Sequence, residues 1–203
     1  MRMSRQEKDR SHQRILDSAA RLIRERGVDG AGVAEVMKDA GLTAGGFYRH
    51  FASKEALVAA AVDAAFEQSL DRIGTHDDPA QAAEAVAEWQ RFYLSDVHVD
   101  NRGYGCPIPA LAGEVGRSPA LAAPMTAGVE ATIERVAAGL NGSAAQRRAE
   151  AAARVAMMAG AVMIARSSDP ETGQYVLDSV RDRLGINDPA PPGRTAAVRG
   201  EKS

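Results

Sequence analysis

The stretch AGLTAGGFYRHFASKEAL, residues 40–57, sets Gly45 and Gly46 inside a short run of helical character and follows them at once with Phe47, Tyr48, Arg49, His50 and Phe51. Glycine costs about 1 kcal/mol per helix position relative to alanine, so an offset is expected. One offset is a backbone that must come very close to another surface. The flanks bound the unit. Gly41 closes a short helix in which Val33, Val36, Met37 and Ala40 keep helical spacing, and Thr43 is an N-cap residue type opening a helix of about two turns that ends at Phe51. Ser53 then caps a further helix, with Glu55 in its first turn, where a carboxylate suits the helix dipole.

Upstream, Ile15, Leu16, Ala19, Ala20, Leu22 and Ile23 fall on a 3.6-residue period that stops at Gly27, predicting a longer helix over about 11–26. Two short helices joined by a glycine turn and braced by a longer one form a helix-turn-helix unit. In that reading Gly45 and Gly46 let the backbone approach a duplex or a neighbouring helix, while Thr43, Tyr48, Arg49 and His50 offer donors to phosphates and base edges. The same spacing also fits an αα-hairpin of a helical bundle, with Phe47 and Phe51 in its core and Tyr48 and His50 at its rim.

Composition narrows the class without choosing between these readings. Of 203 residues, 45% are hydrophobic and 26% charged, helix formers dominate, and no segment alternates with period 2, so the expected fold is all-α. No stretch approaches the roughly 20 apolar residues that span a bilayer, and MRMSRQEKDRSHQR lacks a signal-peptide apolar core; a cytoplasmic protein without membrane partners is expected. One cysteine excludes an internal disulfide, and four scattered histidines offer no metal framework, so neither a metal nor a cofactor is expected. The net charge of −2 hides an asymmetry: residues 1–54 carry 11 Lys/Arg against 7 Asp/Glu, the remainder 14 against 20. A basic first quarter is compatible with phosphate contacts.

The residues from Ile15 to Leu57 decide between the readings by resemblance. The pattern I-L-x-x-A-x-x-L-I-x-x-x-G, then V-x-x-V-M-K-x-A-G-L-T-x-G-x-F-Y-x-H-F-x-S-K-E-x-L, resembles the DNA-binding domain of the TetR family of bacterial transcriptional repressors, in order and in gaps. The resemblance implies that the third helix reads the major groove, with Thr43, Ala44, Gly45, Gly46, Tyr48, Arg49 and His50 at the DNA and Lys54 on a phosphate. It also implies a small core of Ile15, Ala19, Val36, Phe47, Phe51 and Leu57. Two departures stand out: many relatives carry Ser or Thr where this chain has Ala31 and Gly32, and Lys or Arg where it has Ala44. With fewer direct readers, phosphate and shape contacts gain weight.

Residues 1–54 are expected to form the helix-turn-helix domain, 55–185 a helical-bundle domain for ligand binding and dimerisation, and 186–203 a disordered tail rich in Pro, Gly and Arg. In the larger part THDDPAQ reads as a linker, with Pro79 opening a helix to about Val99 that bears Val86, Trp89, Phe92 and Tyr93 on one stripe. Cys106 precedes Pro107 at the start of a short helix, where free amides and the helix dipole favour thiolate. The segment GCPIPALAGEV is similar to one found in relatives that sense electrophiles or oxidants, although a small packed cysteine fits it equally. Helices are further expected over about 118–140, 143–166 and 170–184.

Candidate pocket walls are Trp89, Phe92, Tyr93, Tyr104, Met125, Met157 and Met163, beside Cys106 as a candidate sensor. Ala153, Ala156, Gly160 and Ile164 on one helix and Tyr175, Val176, Ser179, Val180 and Leu184 on the next form faces suited to close packing. The resemblance implies that these two helices build a four-helix dimer interface, although burial within one chain fits the same spacing. The expectation is a homodimeric repressor of a palindromic double-stranded DNA operator, released by a small-molecule or reactive-electrophile effector. The alternatives are a helical-bundle enzyme and a protein-binding scaffold. No paired carboxylates, nucleophile with base, or metal-ligand set stands at an informative spacing, so no catalytic activity is expected.

Overall fold

The computed structural model describes residues 5–186; the tail expected beyond Ile186 lies outside the described residues. Nine α-helices run in order: α1 (Arg5–Gly30), α2 (Val33–Asp39), α3 (Lys54–Leu70), α4 (Pro79–Tyr93), α5 (Asp96–Asp100), α6 (Pro107–Leu111), α7 (Ala122–Ala138), α8 (Ala144–Ala165) and α9 (Pro170–Leu184). Short 3-10 segments join them, and no strand occurs among the described residues.

The first core gathers Ile15, Leu22, Val36, Met37, Phe47, Phe51 and Leu57 and runs up α3 to Phe66, where Leu111, Leu121 and Met125 close it. The second fills the space between α4, α7, α8 and α9 with Trp89, Tyr93, Val136, Val155, Met158 and Leu177. α3 packs on α1 along one side and on α7 along the other. Its closest approach to α7 is at Gly128, where a Cβ would collide with the ring of Phe66.

Local signals explain most boundaries. Ser53 Oγ accepts the Ala56 amide at 3.1 Å, Asp78 caps α4 with Pro79 at its first position, and Ser143 and Gln146 form a reciprocal capping box on α8. The helix expected to stop at Gly27 starts earlier, at Arg5, and does break there: Gly27 sits at φ 77°, ψ 174°, and one further turn follows to Gly30. The helix expected to reach Val99 stops at Tyr93. Ser95 accepts the His98 amide through its side chain and restarts the chain as α5, a break that the continuing apolar spacing concealed. The helix expected from about residue 118 begins as a 3-10 turn, Pro119–Leu121, before α7 proper.

Candidate nucleic-acid interface

The turn after α2 is built on Gly41. It adopts φ 71°, with its amide on the Lys38 carbonyl at 3.0 Å and the Leu42 amide on the Met37 carbonyl at 2.8 Å. That pair of bonds is a Schellman closure, which places a left-handed residue just past the helix. Leu42 returns to pack on the first core, and Thr43 is left extended, its side chain making no capping bond.

The segment expected to be a two-turn α-helix is instead a 3-10 helix, Ala44–Arg49. Its amide bonds run from Gly46 to the Thr43 carbonyl and from His50 to the Phe47 carbonyl, three residues back. Two consecutive glycines weaken α-helical preference, although six residues is long for 3-10 geometry. The glycines do not serve a neighbouring helix: a Cβ on Gly45 would meet open space, and one on Gly46 would make an ordinary contact with Met37 Cε at 3.5 Å. Packing within the chain therefore does not require glycine at either position.

Alternate residues of this segment divide cleanly. Phe47 and Phe51 stack in the core with ring centroids 5.9 Å apart, and Phe51 stacks in turn on His12 of α1 at 4.7 Å. Thr43, Ala44, Gly45, Tyr48 and Arg49 are exposed; Tyr48 projects with 79% of its surface free, braced edge-on against Phe47. Gly46 and His50 are half-buried. Burial, followed by the charge of His12, holds the His50 imidazole below its ordinary pKa. Lys54 is the first residue of α3 and is half-buried. The 43–49 segment thus presents exposed hydroxyl, phenol and guanidinium donors with a bare glycine backbone among them, held by a buried aromatic stack. Such a surface can engage phosphates and base edges.

The residues proposed as pocket walls are not brought together. Met125 belongs to the first core, Trp89, Tyr93 and Cys106 to the second, and Tyr104 and Met163 are exposed. Phe92 is half-buried and carries the Arg72 guanidinium over its ring at 4.3 Å, while Met157 is half-buried on α8.

The expected thiolate at Cys106 is corrected. The residue does stand at the N-cap of α6, yet its side chain is fully enclosed and burial pushes the thiol pKa up. A histidine, His98, is held against the backbone of this cysteine. The Cys106 amide donates to His98 Nε2 at 3.0 Å, and His98 Nδ1 donates to the Tyr93 carbonyl at 2.6 Å, which fixes a neutral imidazole bridging α4, α5 and α6. Arg166 completes this knot from α8, donating to the His98 and Val99 carbonyls at 2.7 and 2.9 Å.

On α8, Ala153, Ala156 and Ile164 are exposed and Gly160 is half-buried with open space where a Cβ would stand; on α9, Tyr175 and Ser179 are exposed and Val176, Val180 and Leu184 half-buried.

Comparison with known proteins bears on the same region. Residues 15–61 match the family described as bacterial regulatory proteins, tetR family. Over 62 residues the chain is 37% identical to the uncharacterized HTH-type transcriptional regulator YvdT of Bacillus subtilis, covering 30% of this chain and 32% of that protein. A second relative, the uncharacterized HTH-type regulator Rv0196 of Mycobacterium tuberculosis, is 32% identical over 105 residues, 51% of this chain and 53% of its own. The chain thus spans about a third to a half of the length of these curated relatives. Among solved structures, a TetR transcriptional regulator from Chloroflexus aurantiacus superposes with a TM-score of 0.68 at 25% identity, covering 89% of this chain and 95% of that one. The N-terminal segment, residues 15–61, thus matches the tetR family of bacterial regulatory proteins, and the fold as a whole is similar to that of a solved TetR transcriptional regulator.

Proposed function

We propose that the chain is a homodimeric transcriptional repressor that binds a palindromic operator through residues 43–54 and releases it when a small molecule occupies the helical body. The observation that carries this reading is the division of the Ala44–Arg49 segment into a buried aromatic stack and a fully presented face headed by Tyr48. The match of residues 15–61 to a family of bacterial regulatory proteins supports it, and gives no support to an enzyme.

In this reading residues 1–54 form the reading unit and 55–185 the body. One short 3-10 segment makes few base contacts alone, so two copies about 34–36 Å apart would occupy successive major grooves. The outer face of α8 and α9 suits the pairing of two bodies: Ala153, Ala156 and Gly160 are small and Ile164 and Tyr175 project, while Val176, Val180 and Leu184 lean on the second core. An effector in the body gains support from Gln90 Nε2, which is buried without a hydrogen-bond partner. A buried unpaired donor costs about 1–3 kcal/mol, which a polar ligand reaching it would recover. An electrophile sensed by Cys106 loses its basis with the enclosed thiol.

A salt-titrated gel shift with the DNA upstream of the protein's own gene tests the proposal. Specific binding that weakens steeply as salt rises is expected. Binding to every duplex alike, or to none, would overturn it.

A further inference from the structure

A cleft of about 500 Å³ opens where α1 and α2 meet the C-terminal end of α3 and the 102–104 segment, a size typical of small-molecule sites. It runs along α1 from Arg14 to Arg24, with Gln68 and Arg72 on its far wall and Tyr104 at its rim. Nothing in DNA recognition or in the bundle core uses it.

Arg24 stands at its floor, 3% exposed. Its guanidinium is held by neutral acceptors only: the Ala20 carbonyl at 2.9 Å, the Gly105 carbonyl at 3.1 Å and Gln68 Oε1 at 2.8 Å. Those three bonds leave two of its five N–H groups unused. Among the described residues no carboxylate forms an ion pair with it, whereas Arg21 nearby is satisfied by Glu25 and Asp39. Burial, with the charge of Arg72 acting in the same direction, lowers the Arg24 pKa to about 10. Arg72 has no ion pair either. Two guanidinium groups from different elements therefore converge on one space, one of them buried without a counter-charge, an arrangement that is costly until an anion joins it.

The middle of the cleft has the opposite character. Asp17 takes a bond from Gln68 at 3.2 Å, and Asp39 takes bonds from Ser18 at 2.6 Å and Arg21 at 2.7 Å, so both keep spare acceptor capacity for hydroxyl donors. A tetrahedral group with three oxygens can accept from guanidiniums on two elements at once. DNA phosphate does not fit, because Gln68 stands about 21 Å along α3 from Lys54 at 1.5 Å per residue.

We propose that this cleft binds a small phosphate monoester of a hydroxylated compound, its phosphoryl group between Arg24 and Arg72 and its hydroxyls on Asp17 and Asp39. Such a ligand joins α1 of the reading unit to the end of α3 and the 102–104 segment of the body, a second effector position separate from the bundle core.

Calorimetric titration of the full chain at constant ionic strength tests it, with glucose 6-phosphate, inorganic phosphate and glucose as probes. Glucose 6-phosphate is expected to bind saturably, inorganic phosphate more weakly and glucose not at all. Arg72→Gln, at an exposed position where it gives up only the stack on Phe92, is expected to weaken glucose 6-phosphate by about tenfold or more; Arg24→Met removes binding wherever circular dichroism shows it folded. Unchanged affinity in Arg72→Gln, or no saturable signal from the wild type, overturns the site, and inorganic phosphate binding as tightly as the ester overturns the role of Asp17 and Asp39. The readout needs no DNA, so it stands apart from the repressor reading.

Discussion

His98 is almost wholly enclosed, and its two hydrogen bonds require one nitrogen protonated and the other bare. Burial drives its pKa down from 6.5 to about 4. Because the folded value lies below the unfolded one, the unfolded chain binds the extra proton first, and stability falls as pH drops from about 6.5 towards about 4. The whole effect is at most about 3 kcal/mol. Urea unfolding across that range is expected to show the loss, and His98→Gln, less stable at neutral pH, should show a shallower pH slope; equal slopes would assign the loss to other groups. At the other end of the chain, Lys54→Ala is expected to weaken operator binding across sequences and reduce the salt slope by about 1, while Thr43→Ala weakens it by about 1–3 kcal/mol and relaxes base preference. Gel shifts at several salt concentrations separate the two.

Elements depend on a few backbone positions. Gly41 holds the left-handed end of α2, where a side chain costs about 1–2 kcal/mol, so Gly41→Ala is expected to lower the urea midpoint and, by moving Thr43 and Tyr48, to reduce DNA affinity more than the stability loss explains. Gly128→Ala should be worse for folding: its Cβ would meet the Phe66 ring inside packed helices, and overpacking of this kind typically costs about 1–3 kcal/mol. Most of this architecture was legible in the sequence. The 170–184 helix and the capped starts at Ser53 and Pro79 stand where their local signals put them, because caps act within one turn. The Ala44–Arg49 segment was misread as α because six residues are too few to distinguish a period of 3.0 from 3.6. α5 was missed because apolar spacing runs across Leu94, although Ser95 and Asp96 carried a cap signal. Long-range burial was the least visible. Cys106 was placed correctly at a helix start, but the walls that enclose it come from distant segments, and Arg24 reads as one more charge on a solvated helix face until Gly105 and Gln68 are brought beside it.

For the whole molecule, pairing through α8 and α9 makes a direct prediction. Ile164, 45% exposed, and Tyr175, 73% exposed, lie outside both cores. Ile164→Glu is therefore expected to leave thermal stability of the subunit little changed while shifting sedimentation from dimer to monomer and weakening operator binding in parallel. A variant that stays dimeric and binds normally would locate the pairing surface elsewhere. Within one subunit, α1 is tied to the later segments at several points, Arg24 on the Gly105 carbonyl among them, and at its break a carboxylate holds it: Glu114 accepts the Val28 amide at 2.9 Å beside Gly27. Any side chain at 27 would strike that carboxylate and would also have to adopt φ 77°. The two obstacles are unequal: the carboxylate ends a flexible side chain and can swing aside, whereas the left-handed φ penalises every L side chain, so shortening residue 114 alone would not free position 27.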